Sequence, residues 1–104
     1  MTKHDVDLVF RERRLFSTAH FLVRWRRTDN PFPRASFAFS RASGNAVTRN
    51  RFKRRLRAVV ALAAEHAGID FVFVPKTALT KITVALWQNE NKKISEFCEH
   101  HFKS

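Results

Sequence analysis

Residues 44–57 read GNAVTRNRFKRRLR and open the longest helical pattern in the 104-residue chain. From about Ala46 to His66, apolar residues recur at intervals of three and four positions, which is the spacing of one helix face. These residues are Phe52, Leu56, Val59, Val60 and Ala63. Gly68 follows as a natural stop for the helix. The stretch therefore predicts a long amphipathic helix, around which the other elements must pack.

The remaining surface of this helix carries concentrated positive charge. Residues 49–57 contain six Lys or Arg and no acidic residue. Like charges one helical turn apart repel each other, so an external anion is expected to offset the repulsion. Arg binds phosphate through paired hydrogen bonds, Lys binds it as a point charge, and Asn can bond a sugar or base edge. A solvated basic face is the alternative interpretation.

The net charge of +11 lies in the first half of the chain. Residues 1–57 hold 15 Lys or Arg against 4 Asp or Glu, whereas residues 58–104 hold 5 against 5. Such a one-sided field favours nucleic acid as the partner. An anionic membrane is the competing partner, but the longest apolar stretch, residues 58–64, is too short to cross a bilayer. We therefore expect no membrane contact and, because acidic residues argue against an N-terminal signal peptide, a cytoplasmic location.

The sequence predicts one small α+β domain over residues 1–104, since a chain of this length has room for one core. The elements expected around the central helix are a helix over residues 5–14, strands over 19–27, 35–40 and 70–75, and a helix over 91–103. Residues 82–87 fit either a further strand or the entry to the last helix. A lone cysteine, Cys98, excludes an internal disulfide.

The basic helix resembles the RNR motif of the bacterial ribonuclease P protein family. There, a Gly-[Lys/Asn]-x-Val-x-Arg-Asn-Arg-x-Lys-Arg-x-x-Arg string opens the central helix. The matching residues are Gly44, Asn45, Val47, Arg49, Asn50, Arg51, Lys53, Arg54 and Arg57. The resemblance implies a single-domain α-β sandwich in the order α-β-β-β-α-β-α, with a left-handed β-α-β crossover. That handedness comes from the resemblance alone, because such crossovers are right-handed in most proteins.

The resemblance also implies a function. It makes the chain the non-catalytic protein subunit of ribonuclease P, an endoribonuclease whose RNA subunit removes the 5′ leader from precursor tRNA. Mg²⁺ would be held mainly by the RNA subunit and the substrate, with no cofactor or metal site intrinsic to the protein and no small-molecule substrate. The residues agree with this expectation, because they show no paired-acid motif, no Ser/His/Asp triad pattern and no zinc-ligand spacing.

In the family, the RNR segment faces the RNA subunit, and a cleft between the first helix and the sheet holds the leader. The resemblance assigns Val6, Phe10, Leu22 and Arg24 to that cleft, and Phe21 to the core. Strand alternation independently puts Leu22 and Arg24 on one face. Phe10 would stack on a base, although a packed core position is the alternative. Val6 and Arg24 stand where aromatic residues are common in the family, so a more electrostatic grip is expected.

Other functions share parts of this pattern. A ribosomal protein or general RNA chaperone would have the basic half and the aromatic strands, but would bind RNA without leader dependence. A DNA-binding domain would use residues 49–57 as a recognition helix, although the short helix and tight turn that normally precede one are missing from the pattern. A stand-alone nuclease would cleave without an RNA subunit.

Overall fold

The computed structural model describes residues 1–102 as an α+β fold. Its elements are α1 (Lys3–Glu12), β1 (Leu15–Ser17), β2 (Phe21–Arg27), β3 (Arg34–Phe37), α2 (Ala46–Ala63), β4 (Ile69–Pro75) and α3 (Val84–Phe102). This order confirms the α-β-β-β-α-β-α arrangement implied by the resemblance. The expected last helical residue, Lys103, lies outside the described residues. Within residues 1–102, no helix combines the length and apolar character needed to cross a bilayer.

The strands form one sheet in the order β1-β2-β4-β3. The β1–β2 and β2–β4 pairs are antiparallel, whereas β3 and β4 are parallel. Parallel neighbours need a crossover connection, and α2 provides it between β3 and β4. The β-α-β unit implied by the resemblance is therefore present, and its left-handedness stays a prediction.

The two faces of the sheet are covered by different helices. One face packs against α2 and α3 and forms the main core, whose members include Phe21, Val23, Phe71, Phe73, Phe52, Leu56, Ile94 and Cys98. The apolar stripe predicted for α2 is buried in full. On the other face, α1 lies over β2 and β4, and its Val9 is fully buried. Because both faces are covered, β4 is an almost continuous apolar run, as parallel and central strands commonly are.

The end of α2 differs from the prediction. The helix ends at Ala63, before the expected His66, and the chain turns through His66 in a left-handed conformation, with φ of 65°. Gly68 serves another purpose than a helix stop. A Cβ atom on Gly68 would lie 2.2 Å from the carbonyl oxygen of Asn30 and 2.6 Å from that of Thr28. Glycine is therefore required by the close approach of the β2–β3 connection.

The short strands and the start of the last helix also differ from the sequence pattern. The short edge strand β1 was not visible in the pattern, because it has three residues and no fully buried side chain. Strand β3 ends at Phe37, earlier than the expected residue 40. Of the two alternatives for residues 82–87, the entry to the last helix is confirmed and the strand is wrong. A 3-10 turn, Leu79–Lys81, leads into α3, which begins at Val84 rather than near residue 91. Short apolar runs do not distinguish strand from helix by period.

Candidate nucleic-acid interface

The basic helix begins at a defined cap. The Asn45 side chain accepts a hydrogen bond of 2.8 Å from the backbone N–H of Thr48, as Asn commonly does at a helix N-terminus. Gly44 precedes it with φ of 154°, a conformation that other residues rarely adopt. A Cβ atom there would also lie 3.2 Å from the Thr48 side chain. These two residues define the backbone conformation at the start of α2.

Most of the predicted RNR side chains share one concave surface. Asn50, Lys53, Arg54 and Arg57 line a groove of about 410 Å³ together with Val47, which is 67% exposed. This set, with Val47, is called the RNR groove below. Asn50, Arg54 and Arg57 are exposed and Lys53 is half-buried, so their polar groups face solvent. The spacing 50, 53, 54 and 57 is that of one helix face, which explains why they meet.

Arg49 and Arg51 lie outside the groove lining. Arg51 is exposed, whereas Arg49 is half-buried and its buried Nε has no hydrogen-bond partner among residues 1–102. None of the Arg or Lys side chains of residues 49–57 forms an ion pair with a carboxylate of the described chain. The positive charge of the segment is therefore not neutralised internally, which leaves it available to an external anion.

Two arginines of this helix also lie over aromatic rings. The Arg55 guanidinium is 5.4 Å from the ring centroid of Phe52 and 5.7 Å from that of Trp87. Arg57 lies 5.0 Å from the ring of Phe37, so it joins the groove to the strand β3. Arg55 occupies one of the unspecified positions of the motif, and its placement gives it a packing role between α2 and α3.

The four residues assigned to the leader cleft lie on α1 and on β2, the strand that α1 covers. Val6, Leu22 and Arg24 are half-buried, and Phe10 is 38% exposed. The Arg24 guanidinium lies 4.7 Å from the centre of the Phe10 ring. Its Nε is buried without a hydrogen-bond partner in the described part of the chain. The alternative of a packed core position for Phe10 is wrong, whereas Phe21 is fully buried as expected.

Sheet register explains this arrangement. Arg24 pairs with Val72 and Leu22 with Val74, and paired residues point to the same face. Their neighbours Phe21 and Val23 point to the opposite face and are buried in the main core. The alternation predicted for β2 is therefore confirmed, and it directs Arg24 towards α1.

A buried charge pair lies under this face and also reaches α1. Arg34 on β3 donates two hydrogen bonds, of 2.8 and 2.7 Å, to the fully buried Asp70 on β4. Its Nη1 also lies 3.7 Å from Oδ2 of Asp5 on α1. The hydrogen bonds to Asp70 raise the pKa of the Arg34 guanidinium above its ordinary value. Sequence reasoning did not find this cluster, because only the sheet register brings its members together.

Comparisons with known proteins agree with this geometry. The sequence model of the family described as Ribonuclease P matches residues 1–98. The chain belongs to this family. A ribonuclease P protein component from an Exiguobacterium species is 31% identical over 100 residues, which cover 95% of this chain and 82% of that protein. One from Micrococcus luteus is 77% identical over 31 residues, 30% of this chain, and one from Acholeplasma laidlawii is 30% identical over 73 residues, 70% of this chain.

These last two matches span 24% and 63% of the length of the Micrococcus and Acholeplasma proteins. Solved ribonuclease P proteins share the fold. The Thermotoga maritima protein has a TM-score of 0.75 at 24% identity, with 94% of this chain and 92% of that one covered. The Staphylococcus aureus protein has a TM-score of 0.78 at 19% identity, with 95% and 93% covered. Membership of the ribonuclease P family and its α+β fold are thus both established.

Proposed function

We propose that this chain is the protein subunit of a bacterial ribonuclease P, acting in the cytoplasm. In this proposal the RNR groove, with Arg49 and Arg51, binds the catalytic RNA, and the cleft between α1 and the sheet binds the 5′ leader of precursor tRNA. The observation that carries it is the RNR motif on the outer face of α2, with its charges unpaired inside the described chain. Unpaired cations in an ordered array favour a polyphosphate partner.

The proposal assigns the chemistry to RNA. Within residues 1–102, no group of three or more His, Cys, Asp or Glu could hold a metal ion. As the resemblance to the family implies, we place Mg²⁺ on the RNA subunit and the substrate, where it would activate the attacking water. The protein would contribute binding energy and position the leader, which is a role that needs no catalytic side chain.

Cleavage of a precursor tRNA tests the assignment directly. The reaction is run at low Mg²⁺ with a bacterial ribonuclease P RNA alone, with this protein alone, and with both. At low Mg²⁺, the basic side chains of the protein would offset phosphate charge that Mg²⁺ otherwise offsets. We therefore expect cleavage at the mature 5′ end only when both components are present. Binding without stimulation would favour a general RNA chaperone, and cleavage by the protein alone would indicate a nuclease.

Substitution of Phe10 tests the leader cleft. Stacking of a base on an aromatic side chain contributes about 1–3 kcal/mol, so Phe10→Ala is expected to weaken binding of leader-bearing precursor tRNA by about five- to 150-fold. Binding of mature tRNA should not change. Equilibrium binding of both RNAs to the reconstituted holoenzyme measures the difference.

A matched control is Phe32→Ala. Phe32 is more exposed than Phe10, at 57% against 38%, but it lies in the β2–β3 connection rather than on α1. We expect this variant to bind both RNAs as the unmodified protein does. Equal losses for leader-bearing and mature tRNA in the Phe10 variant would remove that residue from the cleft.

A further inference from the structure

A pocket of about 550 Å³ lies between the β1–β2 turn and α3, and its volume is within the range of small-ligand sites. Ser17 and His20 line the side of the turn, and Asn89, Glu90 and Lys93 line the side of α3. The pocket shares no lining residue with the RNR groove and none with the leader cleft. It therefore belongs to neither surface used in the proposed function.

The carboxylate of Glu90 is closed to a ligand in this pocket. Glu90 is 2% exposed, and its Oε1 accepts a hydrogen bond of 2.6 Å from the backbone N–H of His20. The same oxygen lies 2.6 Å from Nδ1 of the His20 ring, and Oε2 is buried. The contribution of Glu90 to the pocket is therefore indirect: it holds the His20 ring in place.

The His20 ring presents its other nitrogen to an external partner. A carboxylate oxygen accepts hydrogen bonds, so Nδ1 is the donor in the contact with Glu90, and Nε2 faces away from it. The His20 side chain is 18% exposed, and Nε2 has no hydrogen-bond partner among residues 1–102. A carboxylate that fixes one ring nitrogen in this way orients the second towards a ligand.

The charged groups that a ligand can reach in this pocket are cationic. Lys93 and Asn89 are exposed, and Lys93 forms no ion pair with a carboxylate of the described chain. Lys76 adds a second cation at the rim, because its Nζ donates to the Ser17 hydroxyl and to the carbonyl oxygen of Thr18, two residues that line the pocket. The ligand that fits these groups is an anion.

We propose that this pocket binds a phosphate group through Lys93, Nε2 of His20 and the Asn89 amide. Phosphate oxygens accept from all three groups. A diester phosphate of RNA has no hydrogen to donate, so it is bound with a proton on Nε2, in the charged form of the ring. RNA and a free phosphate share this chemistry. The site itself does not depend on the proposed function, and only RNA as the source of the phosphate rests on it.

Inorganic phosphate is the probe in the first experiment. It is titrated into the intact ¹⁵N-labelled chain, with NaCl at matched ionic strength as the control for the field of a protein with net charge +11. We expect saturating amide NMR shifts at His20, Asn89 and Lys93 with phosphate alone. Lys93→Gln should weaken binding about two- to fivefold, as for an exposed charge pair. Lys92→Gln should not, because Lys92 pairs with Glu96 and does not line the pocket.

The substitution His20→Asn separates the two roles of the ring. The Asn amide can donate to Glu90 as Nδ1 does, but it leaves nothing in the place of Nε2, so phosphate binding should weaken in a folded chain. If this variant does not fold, the two lysine variants still decide. Absence of saturating shifts at the pocket overturns the proposal, as does an equal loss of affinity in the Lys92 and Lys93 variants.

The salt dependence of RNA binding identifies the source of the phosphate. If RNA supplies it, Lys93→Gln makes the slope of log affinity against log salt concentration shallower by about 0.7–0.9 for the RNA subunit or for precursor tRNA. Lys92→Gln should leave both slopes unchanged. Phosphate shifts at the pocket with unchanged slopes in the Lys93 variant would assign the pocket to a free phosphate. Stimulated leader cleavage without such shifts would remove this site and leave the proposed function intact.

Discussion

At the scale of single residues, Arg34 determines how the cleft wall is held. Its guanidinium bonds the buried Asp70 on β4 and lies near Asp5 on α1, so one side chain joins three elements. A buried carboxylate is tolerated when it is paired and hydrogen-bonded, but removal of its partner leaves an uncompensated charge. The strong part of this arrangement is therefore the Arg34–Asp70 pair, and the partly exposed Asp5 contact adds a weaker link to α1.

Replacement of Arg34 by Ala should lower the free energy of unfolding by about 3–5 kcal/mol, because Asp70 would remain buried and unpaired. Urea denaturation measures the change. Arg26→Ala is the matched control: Arg26 pairs with Glu12 at 3.8 Å, and both side chains are partly exposed. The Arg26 variant should lose less than about 1 kcal/mol of unfolding free energy. Similar losses in the two variants would show that the Asp70 pair is no stronger than a surface pair.

The sequence predicted individual residues where one element sufficed to place them. Leu22 and Arg24 lie on one strand face, as the alternation of β2 predicts. The contacts Arg34–Asp70 and His20–Glu90 join residues 36 and 70 positions apart, and no local pattern encodes such pairs. Only the sheet register and the packing of α3 bring these partners together.

At the scale of elements, α1 begins with a capping box. Asp5 accepts hydrogen bonds from the backbone N–H and the hydroxyl of Thr2, and the Thr2 hydroxyl accepts from the backbone N–H of Asp5. These bonds from Thr2, with a smaller effect of Arg34, lower the pKa of the Asp5 carboxyl. A carboxyl with a lowered pKa in the folded state stabilises the fold above its ordinary pKa, and this contribution disappears as the pH falls through the lowered value.

Asp5→Asn should therefore reduce the thermal unfolding temperature at neutral pH, and the gap to the unmodified protein should close below about pH 4, the ordinary range of an Asp carboxyl. Thermal unfolding followed by circular dichroism across this pH range measures the gap. Asp7→Asn is the control, because Asp7 is exposed on the same helix and takes part in none of the ion pairs of residues 1–102. A gap for Asp5→Asn that persists unchanged in acid would contradict the capping role.

Prediction of the elements succeeded where periodicity was long and failed where it was short. The buried stripe of α2 extends over several turns and is found as expected. Strand β1 has three residues, which are too few to show the alternation of apolar and polar side chains. The apolar run that begins at Ile82 left a strand and the entry to the last helix open, and the structure shows the helix entry, because α3 begins at Val84. Tertiary packing, rather than local pattern, decides these boundaries.

At the scale of the whole molecule, helices α1 and α2 cover opposite faces of the sheet. The cleft with Phe10 and Arg24 therefore lies on the other side of the sheet from the core against which α2 packs. The shortest extent of the molecule is 21 Å. In the proposed function, the catalytic RNA and the 5′ leader would bind at separate surfaces of this small protein. A substitution at one surface should therefore leave RNA binding at the other surface unchanged.

Salt dependence distinguishes a specific contact of the RNR groove from the general field of a protein with net charge +11. A phosphate contact contributes about 0.7–0.9 to the slope of log affinity against log salt concentration. Arg54→Gln should make the slope for binding of the RNA subunit shallower by about this amount, because Arg54 is exposed and lines the groove. Arg55→Gln removes the same charge from the next residue, but this guanidinium lies over Phe52 and Trp87. We expect the Arg55 variant to change the slope much less. If both variants lowered it equally, the RNA would be sensing only the summed charge of α2, and the proposed docking of the RNA subunit in the groove would be wrong.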